Sequence, residues 1–171
     1  MNKNLAKTVS NILLFKQSPA DLPYSFTLLG VGCLVYIFAL IASYPHYISF
    51  VRPLVFVVLW ISYTYLLLQI SSFRNRFIQT MSCFFWIALI FQFFKILIIK
   101  LTWFLMSLLL TPGYAFLSKK ILFIPMAFTM LILLWELSVV FYIYKQALVK
   151  SHVAALATIG LVLMVWLIFN T

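Results

Sequence analysis

Acidic side chains are nearly absent from this sequence. Asp21 and Glu136 are the only carboxylates in 171 residues, and they lie far apart. Hydrolysis by a carboxyl acid/base pair needs two such groups flanking one bond, so that chemistry is not expected. Glycine is scarce too, with four residues in the chain. There is no Gly-rich phosphate loop, no GxSxG nucleophile turn, no HExxH and no acidic cluster for Mg²⁺. The two histidines, His46 and His152, have no ligand-type neighbours, and the two cysteines, Cys33 and Cys83, are isolated within apolar stretches. Neither pair provides the ligand set of a metal site. Buried among apolar neighbours, the cysteines read as small packing residues rather than a disulfide. No metal and no cofactor is expected.

What the chain has in excess is apolar surface. Hydrophobic residues make up 66% and charged residues 8%, against roughly half and a quarter in a soluble domain. Such a chain cannot cover a water-facing surface, so the lipid bilayer must be its solvent. The net charge is +10, but the cations stand singly or in pairs between apolar runs. A nucleic-acid interface needs them clustered on one soluble face, so no nucleic-acid partner is expected. Cations so placed set orientation and touch anionic lipid headgroups.

Spanning the hydrocarbon takes about 20 apolar residues in a helix. Five runs qualify: Ser25 to Tyr44, Pro53 to Ser71, Phe77 past Phe94, Ile121 to Tyr144, and His152 to Phe169. Lys95 and Lys100 interrupt the third. Beyond them, Leu101 to Leu110 is too short to cross and is expected to be an interfacial or re-entrant piece before Pro112-Gly113. The first run starts far from the N-terminus without an A-x-A site, so it reads as a retained span rather than a signal peptide. Five spans place Lys3, Lys7, Lys16, Arg74, Arg76, Lys145 and Lys150 on one side. That side is assigned to the cytoplasm, with the N-terminus. A six-span alternative splits the third run. Tyr24, Tyr44, Tyr47, Tyr142 and Tyr144 fall at run ends, where an aromatic belt belongs. The predicted fold is all-α: a polytopic transmembrane helix bundle of about five spans behind an N-terminal amphipathic surface helix. Residues 1–24 form the N-terminal segment and corner, and residues 25–171 the transmembrane domain.

Over residues 3–16, Leu5, Val9, Ile12 and Leu13 make an apolar stripe opposite Lys3, Asn4, Lys7, Ser10 and Asn11. That pattern predicts a helix lying in the headgroup region. The stretch KQSPADLPYS follows. Ser18-Pro19-Ala20-Asp21 has the spacing of a capping box, with Ser at the N-cap, Pro at N1 and an acid at N3. Pro23 cannot donate a backbone N–H, so the chain should bend before Ser25. The stretch therefore reads as a capped corner between surface helix and first span.

Glu136, within ILLWELSVV, is the one deep acid. An ionisable group at such depth is a functional candidate by default. Desolvation favours a protonated, hydrogen-bonded carboxyl. Helical rise places Tyr63 and Thr64 of the second run at its level, whereas Lys95 lies about 27 Å from the cytoplasmic side, at a different depth. Thr129 is two turns from Glu136 on the same face. Gln92 is a further intramembrane polar group, able to bridge helices. Ser151 is expected to cap the last helix. Small residues at Ala154, Ala157, Thr158 and Gly160, and at Thr27, Gly30 and Cys33, allow close helix approach.

Five apolar runs after an N-terminal segment, and LLWELSVVFYIYKQAL from Leu133 to Leu148, resemble the Yip1-type membrane-protein group. ILLFKQSPADLPYS also resembles short bacterial membrane proteins with a proline-bracketed acid before span one. The resemblance implies a five-span helical protein of a cell inner membrane and does not imply a catalytic activity. Eukaryotic Yip1-type proteins act in trafficking, but their long hydrophilic N-terminal region has no counterpart here. The expected function is that of a non-enzymatic scaffold or accessory subunit, engaging another membrane protein or a second copy of the chain. The alternative is a small transporter or proton-coupled permease using Glu136.

Overall fold

The computed structural model describes residues 5–43, 51–110 and 123–170. Most of these residues are helical, with no strand among them. The helices are α1 (Leu5–Leu13), α2 (Phe26–Ser43), α3 (Val51–Ile70), α4 (Phe77–Leu110), α5 (Phe123–Leu148) and α6 (Ser151–Asn170). Five of them, α2 to α6, are long and apolar enough to cross a membrane. The all-α bundle of five spans behind an amphipathic N-terminal helix is thus observed. Pro53 and Pro125 sit in the first turns of α3 and α5, where a missing N–H costs no helical bond.

The third span differs from expectation. Leu101 to Leu110 is no separate piece but the continuation of α4, a single helix of 34 residues, about 51 Å long. Lys95 and Lys100 do not interrupt it. Lysine is a good helix former, and its long apolar stem lets the ammonium find a polar partner beyond the apolar surface. A charge changes what the helix faces, whereas a break needs Pro or Gly. Pro112-Gly113 lies outside the described residues, as do Lys3, Tyr44, His46, Tyr47, Lys119 and Lys120.

α4 is the central helix. Every side chain from Ile78 to Ala88 is buried except Gln79 and Trp86, which are partly so. α2 runs parallel to α4 and packs on it most extensively, and α5 packs antiparallel on it. The antiparallel register is fixed by Arg76 at Gln146, Phe84 at Tyr144 and Phe91 at Trp135. α3 lies against α6, which also packs on α5. Rings from four helices meet at the centre. Trp60 of α3 lies 6.0 Å from Tyr36, 5.3 Å from Phe84 and 5.6 Å from Phe85, and Phe84 lies 4.8 Å from Tyr144. Such contacts add about 0.5–1.5 kcal/mol per pair beyond area burial. Facing outward are Phe26, Phe38, Phe93, Trp103, Phe123, Leu134, Leu156 and Trp166, all exposed, as suits a lipid-facing surface.

One end of the bundle, here the lower end, holds the α3–α4 and α5–α6 turns and the 18–25 corner. Three helices close with a non-glycine residue in the left-handed region: Phe15 (φ 58), Ser72 (φ 63) and Val149 (φ 66) after α1, α3 and α5. The bonds Lys16 N to Asn11 O (2.8 Å) and Phe73 N to Leu68 O (2.8 Å) close α1 and α3. They satisfy carbonyls that would otherwise be orphaned. In α6 the expected side-chain cap is absent: the helix begins at Ser151 itself, and Ala154 N bonds Lys150 O.

Candidate functional site

Glu136 is joined to Lys95. The Lys95 Nζ lies 2.6 Å from Glu136 Oε2, with side chains 23% and 21% exposed. This overturns the level-matching that set Lys95 apart and placed Tyr63 and Thr64 beside the acid. Two physical effects account for the difference. First, α5 continues to Leu148, so Glu136 stands about 18 Å above its lower end rather than 12 Å. Second, helical side chains lean toward their own N-terminus. α4 and α5 are antiparallel, so Lys95 leans down while Glu136 leans up. Their Cα levels, about 9 Å apart by helical rise, close to a direct pair. The carboxylate is therefore charge-compensated. An ion pair of this kind costs desolvation to form, and removing one partner strands the other.

Several other polar side chains bind helices to each other. Tyr63 Oη donates to Ala157 O of α6 at 3.1 Å. Thr64 Oγ1 shares a hydrogen bond with Tyr144 Oη of α5 at 3.1 Å. Tyr144 is thus a core residue, fully buried, and not part of an interfacial belt. Gln92 Nε2 donates to Ser43 Oγ of α2 at 2.6 Å, the helix-bridging bond its position predicted. Trp86 Nε1 reaches Leu28 O of α2 at 3.3 Å. Thr129 turns back on Pro125 O within α5 and does not meet Glu136.

Small residues act as expected in α6, where Ala154 and Ala157 are buried. A Cβ at Gly160 would overlap the Tyr63 hydroxyl and stand 3.0 Å from Cζ. In α2 the close approach occurs at Gly32, where a Cβ would lie 3.0 Å from Trp86 Nε1. Gly30, by contrast, has open space around it. Glycine spacing alone cannot tell which face of α2 turns inward.

The lower corner is a second polar assembly. Ser18 caps the 3-10 turn Pro19–Asp21: its Oγ accepts from Ala20 N at 3.3 Å, and Asp21 Oδ2 accepts from Ser18 N at 3.2 Å. The capping box is the one the spacing predicted. Pro23 lies in the extended link, after which Ser25 Oγ accepts from Leu28 N to cap α2. Gln79 of α4 completes the corner, donating to Ala20 O at 2.9 Å and Leu22 O at 2.8 Å. Its only sequence signal is a polar residue early in an apolar run. α1 is tied in as well. Val9, Ile12 and Leu13 are buried in protein, so its stripe packs on the bundle. Trp135 Nε1 donates to Leu13 O at 3.4 Å, and Tyr142 Oη to Gln17 O at 3.2 Å.

Among the described residues no group of three or more His, Cys, Asp or Glu side chains could hold a metal ion, and Cys33 and Cys83 are free thiols. Comparison with known proteins found no matching family model, no matching curated protein and no matching solved structure.

Proposed function

We propose that this chain is a multi-pass membrane protein acting as a non-enzymatic scaffold or accessory subunit through helix–helix contacts. The observation that carries this reading is where the polar side chains go. Tyr63, Thr64, Gln92, Gln79 and Trp86 each join one segment of the chain to another, and Glu136 is taken up by Lys95. A bundle in which these polar groups join its own segments is suited to presenting surfaces. The lower end is assigned to the cytoplasm, because Arg74, Arg76, Lys145 and Lys150 flank its two turns, the positive-inside pattern. A bacterial inner membrane, and kinship with the Yip1-type group, rest on the resemblance of the five-run arrangement and of residues 12–25 and 133–148.

The partial exposure of the Lys95–Glu136 pair favours one second reading, a proton-coupled permease in which the pair opens and Glu136 takes up a proton. Gentle-detergent purification at native expression, with native mass measurement, separates the two. A stoichiometric protein partner or a defined homo-oligomer is expected. A lone monomer that moves a solute in proteoliposomes, and loses transport in Glu136→Gln, would replace the scaffold reading with the permease.

A further inference from the structure

The upper half of the bundle carries an apolar groove between α2 and α4. It has a volume of about 400 Å³ and is lined by Ala39, Leu89, Ile90, Phe93, Phe94 and Ile96. That volume falls within the range of clefts that hold small ligands, roughly 300–1,000 Å³. Its lining presents almost nothing polar, so its occupant must be a hydrocarbon.

The level of the groove narrows the choice. α2 has 18 residues, about 27 Å, which matches the hydrocarbon thickness. Its last residue, Ser43, bonds Gln92, so Gln92 marks the upper hydrocarbon boundary on α4. The groove, lined on α4 from Leu89 to Ile96, therefore straddles that boundary, where the first carbons of an acyl chain meet its ester. Lys100 follows on the same helical face, since Leu89, Phe93, Ile96 and Lys100 repeat at the spacing of one α-helical stripe. It is exposed and stands about 12 Å beyond Gln92 along the helix. With its side chain leaning back toward the N-terminus, its ammonium comes to the level of the headgroups. An apolar trough leading to a single cation has the charge and shape of a phospholipid: hydrocarbon below, phosphate above.

We propose that this groove and Lys100 form a site for one phospholipid, with an acyl chain in the groove and the phosphate on the Lys100 ammonium. The site is separate from the lower-end cations, which lie in the opposite leaflet.

Native mass spectrometry of the full chain, extracted in gentle detergent from its expression membrane, tests the proposal. The wild type should retain one phospholipid per chain, with anionic species enriched over their share of the membrane. Ala39→Phe fills the groove and should abolish retention. Lys100→Gln should keep the lipid but lower the anionic enrichment about fivefold, the worth of one lysine near an anionic headgroup. Circular dichroism confirms that each variant is folded, and Leu89→Phe on the facing wall replaces Ala39→Phe if that variant does not fold. Absence of a retained lipid in the wild type overturns the site. So does undiminished retention in the folded groove-filling variant, or unchanged enrichment in Lys100→Gln.

Discussion

Adding one methyl group at Gly160 should loosen the seam between α3 and α6. A Cβ there would overlap the Tyr63 hydroxyl and lie 3.0 Å from Cζ. The obstacle is the far end of a side chain that is only partly buried, so Tyr63 can swing aside. In doing so it loses its 3.1 Å bond to Ala157 O. A hydrogen bond of this kind is worth about 0.6 kcal/mol in a membrane protein, and overpacking commonly costs about 1–3 kcal/mol. Gly160→Ala should therefore destabilise by about 1–3 kcal/mol. Tyr63→Phe alone should cost only about 0.6 kcal/mol. The two substitutions act on one contact, so they should not add. With the hydroxyl gone, Gly160→Ala should cost clearly less than in the wild type. Reversible unfolding in mixed micelles, followed by far-UV circular dichroism, reads all four corners of this cycle. Equal costs of Gly160→Ala in both backgrounds would refute the packing argued here.

Three further outcomes follow from the geometry. Val149 is β-branched at φ 66, where an L side chain is strained by about 1–2 kcal/mol; Val149→Gly should stabilise by about 1 kcal/mol after the glycine's entropic cost, and a lower melting temperature would contradict this. Gln79→Leu removes two bonds to the corner and should raise hydrogen exchange at residues 18–25 while leaving the α3–α6 seam unchanged; protection as in the wild type would show that the corner holds itself. On a cysteine-free background, thiols introduced at Ser118 and Ser151 should label from opposite sides of the membrane, and labelling from the same side would sink the five-span topology.

The elements legible in the sequence are those governed by local chemistry. Runs of about 20 apolar residues fix span number because every backbone group in lipid must be satisfied within the helix. Ser18 and Asp21 announced their capping box because its bonds join residues two and three apart. Gln92 announced a bridge because an amide in an apolar helix needs a partner, though not which one. The rest depends on how helices rotate and tilt against each other, which composition does not encode. Tyr63 and Thr64 were legible as polar groups, yet their partners Ala157 and Tyr144 lie on other helices. The Lys95–Glu136 pair escapes level-counting because side chains on antiparallel helices lean toward one another. Lys95 and Lys100 resemble a break because charge interrupts hydropathy, while α4 continues through both. Gln79 gave almost no signal, since its acceptors are carbonyls that any sequence supplies.

The claim on which the account turns is that the one carboxylate within the spans serves structure. A double-mutant cycle on Lys95→Met and Glu136→Gln measures it directly, by unfolding in mixed micelles. Each single variant leaves a charged or polar group without its partner, and the double variant removes both. The account predicts that the double variant is more stable than the sum of the singles implies, with a coupling of about 1–3 kcal/mol. Zero coupling, with Glu136→Gln as stable as the wild type, would contradict it and return Glu136 to the list of groups free for chemistry.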